Sequence, residues 1–312
     1  MKKIVPLLVL FAILGVNCLL GLDNKFLRVV YESKIPAVNN IKVSDQFAYV
    51  NNDWQLYIYS LRNIWSPTLE TGFASTYPIT DVFSLDNNYI YICSYEPTNE
   101  VTEIDTLNTF GRIYFMNRLT SHKVKREGAT LYVSHRENGL EIFDIGRGVF
   151  PQKISSFSEK WGFLDIEAKY PYLHALNDFG YVALDISDLT NPRTIGTNYE
   201  IVEGSVLAVN RNVVWVGALS TLLAIDITYP ENPVIVNRYR FSSDITDIKA
   251  RGDELFVSLK SSGLKILDIT NTRFIREKNS FYMLTAINSI ALDGDYIFLG
   301  AGNQGWFILE YR

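Results

Sequence analysis

Short apolar runs separated by polar turn residues follow one another along most of the chain. In one representative stretch the runs cover 245–250, 254–259, 264–269 and, with a more polar character, 273–278. Runs of this length bounded by Gly, Ser and Asp predict β-strands joined by tight turns. A neighbouring run, Val213–Val216, shows no polar alternation, which is typical of a strand covered on both faces. The pattern therefore predicts four strands in the stretch, with the middle ones buried.

A short motif repeats at a regular interval along the chain. Its acidic position is filled by Asp144, Asp185, Asp226 and Asp268, which lie 41, 41 and 42 residues apart. Weaker copies place Ser60, Asp105 and Glu310 on the same grid. A period of about 42 residues with four strands in each unit indicates a β-propeller.

The sequence therefore predicts an all-β fold, a seven-bladed β-propeller that occupies residues 23–312. The approximate blades are 41–73, 79–118, 122–157, 164–199, 205–241, 245–278 and 287–312. The last unit ends at Arg312 without room for an outer strand, whereas the segment 26–32 resembles one. We expect this N-terminal strand to close the last blade, because closure removes the free sheet edge.

The repeated motif itself points to a known family. Its form is Gly-Leu-x-Ile-x-Asp-Ile, followed in two units by Asn191-Pro192 and Asn232-Pro233. Over roughly residues 130 to 275 it resembles the LVIVD repeat, a propeller-forming repeat of exported or surface proteins in bacteria and archaea. The resemblance implies a propeller at the cell surface. It implies no defined reaction and no transferable catalytic residues.

The N-terminus carries the features of an export signal. Lys2 and Lys3 precede an apolar run from Ile4 to Val16, which is the pattern of a secretory signal peptide. The segment that ends at Cys18 resembles a lipobox, in which the cysteine is lipidated. Residues 1–22 are thus expected to be a signal peptide, a lipoprotein signal or a retained anchor. Each alternative places the protein outside the cytoplasm, in the cell envelope, either in the periplasm or on the surface.

The charge and the reactive residue types limit the possible functions. The net charge is −5, and the most basic stretch, Lys123 to Arg126, is followed by Glu127. We therefore expect no nucleic-acid partner. His122, His135 and His174 lack metal-ligand spacing, and no nucleophile elbow, phosphate loop or zinc-protease motif occurs. The sequence predicts no cofactor, no metal and no catalytic residues. A metal-assisted hydrolase or lactonase that uses the axial funnel stays as an alternative.

The recurring aspartates have a structural interpretation. Each lies where the third strand of its unit ends, and a carboxylate there can accept backbone N–H groups and fix the turn to the fourth strand. We therefore expect Asp144, Asp185, Asp226 and Asp268 to hold turns and not to bind a metal.

One propeller face is the expected binding surface. The loops from second to third strands share this face with the loops that lead into the next blade, and ligands commonly bind there. The candidate residues are Asn51, Asp53, Trp54, Tyr95, Glu96, Arg136, Glu137, Trp161, Asp178, Phe179, Lys260, Asn303 and Gln304. Aromatic anchors in a polar rim suit an envelope or surface protein, a peptide or a glycan. The alternative is that each ring packs on a neighbouring blade. Contact with the membrane is expected through the N-terminal lipid or anchor.

Overall fold

A computed structural model describes residues 26–75, 77–86, 89–96, 101–108, 113–116, 123–135, 139–146, 151–158 and 161–312. Within these ranges the strands pair into seven antiparallel sheets of four strands each. In six of the sheets the strands are consecutive in the chain, so each is a meander of hairpins. We number the sheets in chain order.

The first strand, β1 (Leu27–Ser33), belongs to the last sheet. Sheet 1 contains β2 (Asn40–Ser44), β3 (Phe47–Asn51), β4 (Gln55–Ser60) and β5 (Thr68–Ala74). Sheet 2 contains β6 (Ile79–Asp86), β7 (Tyr89–Glu96), β8 (Val101–Asn108) and β9 (Ile113–Met116). Sheet 3 contains β10 (Lys123–Glu127), β11 (Thr130–His135), β12 (Gly139–Asp144) and β13 (Gln152–Phe157).

The remaining sheets follow the same order. Sheet 4 contains β14 (Asp165–Lys169), β15 (Tyr172–Asn177), β16 (Gly180–Asp185) and β17 (Arg193–Asn198). Sheet 5 contains β18 (Gly204–Asn210), β19 (Val213–Ala218), β20 (Thr221–Asp226) and β21 (Val234–Arg240). Sheet 6 contains β22 (Ile245–Arg251), β23 (Glu254–Leu259), β24 (Gly263–Asp268) and β25 (Arg276–Phe281). Sheet 7 contains β26 (Ser289–Asp293), β27 (Tyr296–Gly300), β28 (Trp306–Tyr311) and β1.

The sheets are arranged around a common axis. The first strand of each sheet contacts the first strand of the next, and β26 of the last sheet contacts β2 of the first. These strands are therefore the inner ones, and the sheets are the blades of an all-β β-propeller. The prediction of this fold is confirmed, and the sheets are called blades below.

The N-terminal strand completes blade 7. β1 pairs antiparallel with β28, from Leu27 opposite Tyr311 to Ser33 opposite Trp306. The indole of Trp306 is fully buried, and the ring of Tyr31 lies 4.8 Å from it. The Arg28 guanidinium also donates to the Glu310 carboxylate over 2.6 Å. The prediction that this segment supplies the missing outer strand is confirmed.

The core lies between the blades, so both faces of the middle strands are buried. On β19, Val214 and Val216 pack toward blade 4, whereas Trp215 packs toward blade 6. All three are at most 1% exposed. This arrangement explains why the run had no polar alternation, since neither face of the sheet meets water.

Two local predictions had different outcomes. The recurring aspartates do fix turns, because Oδ1 of each accepts the N–H two residues ahead, at Gly146, Ser187, Thr228 and Thr270. The predicted outer strand at 273–278 was wrong, because the strand of blade 6 is Arg276–Phe281. The Asn271 side chain accepts the Arg273 N–H, and the backbone carbonyl of Asn271 accepts the Phe274 N–H. This turn keeps residues 271–274 out of the strand.

Candidate binding face

The predicted binding residues lie at one end of the blades. This end, the loop face, consists of the loops between second and third strands and the loops that lead from each outer strand to the next inner strand. Trp54, Trp161 and Phe179 are 52%, 42% and 46% exposed there. The side chains of Asp53, Asp178, Lys260, Asn303 and Gln304 are also exposed on this face.

Not every candidate is accessible. Asn51 ends β3 and is 1% exposed, and its Nδ2 donates to the carbonyl of Asn52 over 3.1 Å. Tyr95 and Glu96 are the last residues of β7, so their backbone reaches the loop face. Arg136, Glu137 and Cys18 lie outside the described residues.

Short turns hold two of the exposed rings outward. Oδ1 of Asn52 accepts the N–H groups of Trp54 and Gln55 at 2.9 and 2.8 Å. Oδ1 of Asn177 accepts the N–H groups of Phe179 and Gly180, both at 2.9 Å. Such Asx turns fix the backbone of the loop tip. The rings therefore sit on rigid supports.

Apolar side chains are exposed together on neighbouring loops of the loop face. We call this group the blade 4–5 arc and define it by Trp161, Phe179, Tyr199, Val202 and Leu219. These side chains are between 42% and 65% exposed. The rings of Trp161 and Phe179 are 4.4 Å apart.

Sequence reasoning missed three members of the arc, Tyr199, Val202 and Leu219. Tyr199 and Val202 share a short loop with the buried Ile201, and the sequence does not distinguish the exposed from the buried apolar residues of that loop. The sequence feature that could have drawn attention to Leu219 is the nearby Thr221, which occupies the position of a glycine in other blades. Blades 3, 4 and 6 begin the third strand with Gly139, Gly180 and Gly263, and in blade 7 Gly305 immediately precedes it. All four glycines have a positive φ, whereas blade 5 has Thr221 at this position. In blade 5 the positive φ, 47°, occurs at Leu219 instead.

Charged side chains on the inner strands surround the propeller axis. Asp81, Asp165 and Asp247 come from alternate blades. Each carboxylate accepts a backbone N–H from the next blade, at Val124 (3.2 Å), Leu207 (2.9 Å) and Ile290 (2.8 Å). Between blades 7 and 1, Ser289 Oγ accepts the N–H of Ile41 over 2.8 Å. These bonds join neighbouring blades around the axis.

Lysines neutralise the axial carboxylates. The Nζ–oxygen distances are 3.3 Å for Lys42 and Asp81, 2.8 Å for Lys125 and Glu167, and 2.6 Å for Lys249 and Asp247. Burial alone would raise the pKa of Asp81, but Lys42 and the other axial lysines, together with the Val124 N–H, hold it well below its usual range. At Asp247 burial alone would likewise raise the pKa. Lys249 and the other groups around this carboxyl act in the opposite direction, and together they lower its pKa as well.

This electrostatic environment favours a structural role for the axial groups. A general acid or base works best when its pKa lies near the operating pH, whereas Asp81 and Asp247 stay ionised at neutral pH. Among the residues that the structure describes, no three His, Cys, Asp or Glu side chains are grouped so that they could hold a metal ion. A cavity of about 270 Å³ lies at the opposite end of blade 1, lined by Asp45, Gln46, Phe47, Ser60 and Arg62.

Comparison with known proteins supports the fold and the repeat. The LVIVD repeat family model matches residues 243–281, which coincide with the four strands of blade 6. No curated protein matches the sequence.

Solved structures share the fold at low identity. A chain of the mitotic checkpoint complex is 13% identical with a TM-score of 0.71, and the match covers 99% of each chain. The computationally designed Ika8 protein is 11% identical with a TM-score of 0.65, over 90% of this chain and 98% of that one. Sqt1 of Saccharomyces cerevisiae is 9% identical with a TM-score of 0.63, over 86% and 81%. Such identities indicate a common fold and carry no function. Residues 243–281 are thus an LVIVD repeat, within a chain that folds as an all-β β-propeller.

Proposed function

We propose that this chain is an extracytoplasmic, seven-bladed β-propeller scaffold that binds a protein partner through the loop face. The observation that carries the proposal is the exposure of Trp54, Trp161 and Phe179, two of them on turns fixed by asparagine side chains. Large apolar side chains held rigidly in water are characteristic of interaction sites. The closed ring of blades supplies a rigid base for these loops.

The chemistry of the face favours a protein over a glycan. Aliphatic Val202 and Leu219 lie on the same face as the aromatic rings. An aliphatic side chain offers a sugar neither a ring to stack on nor a hydrogen bond, but it complements the apolar side chains of a protein. A protein or peptide partner therefore uses more of the exposed surface.

The extracytoplasmic location rests on the N-terminal sequence. Lys2, Lys3, the apolar run 4–16 and Cys18 support export and lipid attachment. In the described part of the chain, no helix has the length and apolar character needed to cross a membrane. We expect mass spectrometry of the mature protein to find a lipid on Cys18, and a Cys18→Ser variant to leave the membrane fraction. Recovery of the chain with Met1 intact from the cytoplasm would contradict this part of the proposal.

Binding can be tested by capture with matched variants. The tagged full chain, expressed in the cells that make it, is captured from detergent extracts of their envelope after cross-linking. We expect Trp54→Ala combined with Trp161→Ala to lose a partner that the unaltered chain retains. Phe274→Ala is the control, because this ring is 69% exposed at the opposite end of blade 6. The same proteins captured with all variants, or a glycan as the sole ligand, would refute loop-face binding of a protein.

A further inference from the structure

We propose that the blade 4–5 arc is the docking surface for a peptide segment of a partner protein, in which apolar side chains are flanked by Lys or Arg. This inference rests on the proposed binding function and names the part of the loop face that performs it.

The loops that carry the arc are packed together at the backbone. Gly180 lies so close to the next loop that a Cβ there would be 3.0 Å from Cα of Tyr199. Phe179 therefore adjoins Tyr199. Further along, Gly204 pairs with Ala218, so Val202 and Leu219 lie at adjoining ends of one strand pair. The five apolar side chains thus lie on adjoining loops of one face.

The loop beneath the arc is anchored from inside. Ile201 is 1% exposed and belongs to the core between blades 4 and 5. Tyr199 and Val202, on either side of it, are 64% and 65% exposed. Anchoring the loop through Ile201 fixes the two outer side chains in water, so little freedom remains to be lost when a partner binds.

Leu219 gives an independent indication that the arc is functional. It is half exposed, and its φ of 47° lies in the left-handed region that Gly or Asn normally occupies. The turn has two residues, since Ala218 pairs with Thr221, and such turns require a positive φ. An exposed leucine in a strained conformation stabilises neither the turn nor the core. Strain of this kind is typical of binding sites.

The charges around the arc identify the partner chemistry. Asp178 and Glu203 are exposed on the loops that carry it, and the exposed Glu200 is paired with Arg238 over 3.5 Å. Within 161–164, 177–180, 199–203 and 219–220 of the described chain, no Lys or Arg occurs. Apolar anchors surrounded by carboxylates complement apolar side chains flanked by cations. The same carboxylates repel an anionic membrane surface.

The test uses a displayed library of short random peptides, selected on the purified full chain. We expect enriched sequences to combine Leu, Phe or Trp with neighbouring Lys or Arg. A synthetic peptide of the most enriched sequence should bind more weakly as salt rises, and its version with Glu in place of Lys and Arg should not bind.

Two variants of Leu219 separate binding from folding. Leu219→Asn and Leu219→Ala both remove the apolar side chain, and we expect each to weaken peptide binding roughly tenfold or more. Asn accepts the left-handed conformation, whereas Ala retains the strain, so thermal unfolding of Leu219→Asn should occur at a higher temperature than that of Leu219→Ala. Equal losses of binding despite different stabilities would exclude unfolding as the cause. Phe274→Ala should bind as the unaltered chain does.

Several outcomes would overturn the inference. These are enrichment of acidic or wholly polar peptides, no enrichment at all, and binding that both Leu219 variants leave unchanged. A dimer in sedimentation that Leu219→Asn dissociates would assign the arc to a second copy of this chain. Binding to anionic vesicles that this variant abolishes would assign it to lipid. If Trp54→Ala abolishes partner capture while the Leu219 variants do not, the arc inference fails and the loop-face function stands. If neither peptide nor envelope protein binds the loop face, both fail.

Discussion

At the scale of single residues, the surroundings of His174 lower the pKa of its imidazole. It lies on β15, is 1% exposed, and its Nδ1 is 2.6 Å from the hydroxyl of Tyr181. Burial lowers its pKa to about 4, with Lys169 acting in the same direction and Glu167 opposing it. In the unfolded chain the pKa of a histidine is about 6.5. Between these two values the unfolded chain binds a proton that the folded protein does not.

This difference predicts a pH dependence of stability. The contribution of neutral His174 is complete above pH of about 6.5 and is lost as pH falls through about 4, which amounts to about 3 kcal/mol. Urea unfolding at a series of pH values across this window measures it. His174→Gln keeps a hydrogen-bonding group beside Tyr181 but cannot titrate, so its profile should be flatter. Parallel profiles for the two proteins would contradict this assignment.

The sequence predicted some residue environments and not others. The apolar run 172–176 indicates a buried position for His174, and the residue is buried. Asn51 was grouped with the exposed loop residues, but it is buried because β3 extends through it. Leu219 was missed altogether. The apolar pattern separates strands from turns, but it does not reveal the φ of a turn residue or the side to which a loop leucine points.

At the scale of strands and turns, the repeated glycine has a steric cause. Gly263 begins β24 with a φ of 78°, and a Cβ there would lie 2.0 Å from the Phe281 carbonyl oxygen on the outer strand. Gly252, in the preceding turn of the same blade, has a φ of 60° but nothing within 4 Å of its Cβ position. The two glycines share a conformational requirement, and close backbone contact distinguishes them.

Alanine substitution of the two glycines should therefore have unequal effects. We expect Gly252→Ala to lower the free energy of unfolding by about 1 kcal/mol, because only the left-handed conformation is penalised. Gly263→Ala should cost about 3 kcal/mol or more, because the outer strand must also shift. Denaturant unfolding of both variants measures the difference. Equal costs would mean that contact with the outer strand is not the reason for this glycine.

Prediction of the elements succeeded where apolar periodicity is strong. The second strand of blade 6 was predicted at 254–259 and is Glu254–Leu259. The outer strand was displaced by three residues, since it begins at Arg276 instead of Arg273. Outer strands have one solvated face and a bulge at their junction with the third strand, here between Ile266 and Leu267. Neither feature leaves a hydrophobic signal that would fix the register.

At the scale of the whole molecule, the repeat predicted the propeller and the loop face, but not the part of that face where apolar side chains are exposed together. The blade 4–5 arc forms because Gly180 and Gly204 bring three loops together. The apolar side chains of the arc lie outside the repeated motif, and the repeat pattern describes only what the units share. The axial carboxylates are a further example. Asp81, Asp165 and Asp247 differ in spacing from the motif aspartates and occur in alternate blades.

Closure of the ring depends on the N-terminal strand. Without β1, the edge of β28 is open and Trp306 loses the ring of Tyr31. Glu310, whose side chain is 5% exposed, also loses Arg28. We expect a chain that begins at Lys34 to unfold at a lower temperature than one that begins at Phe26, with a loss of roughly 3 kcal/mol from the partly buried Leu27, Val30 and Tyr31.

A synthetic peptide of residues 26–33, added to the shortened chain, provides the matching control. Because it can pair with β28 in the same register, it should restore part of the lost thermal stability, and a peptide with Tyr31→Ser should restore less. The open edge of β28 should also promote association of the shortened chain, which sedimentation detects. If both chains unfold at the same temperature and the peptide changes nothing, blade 7 is stable with three strands, and closure through β1 does not maintain the ring that supports the loop face.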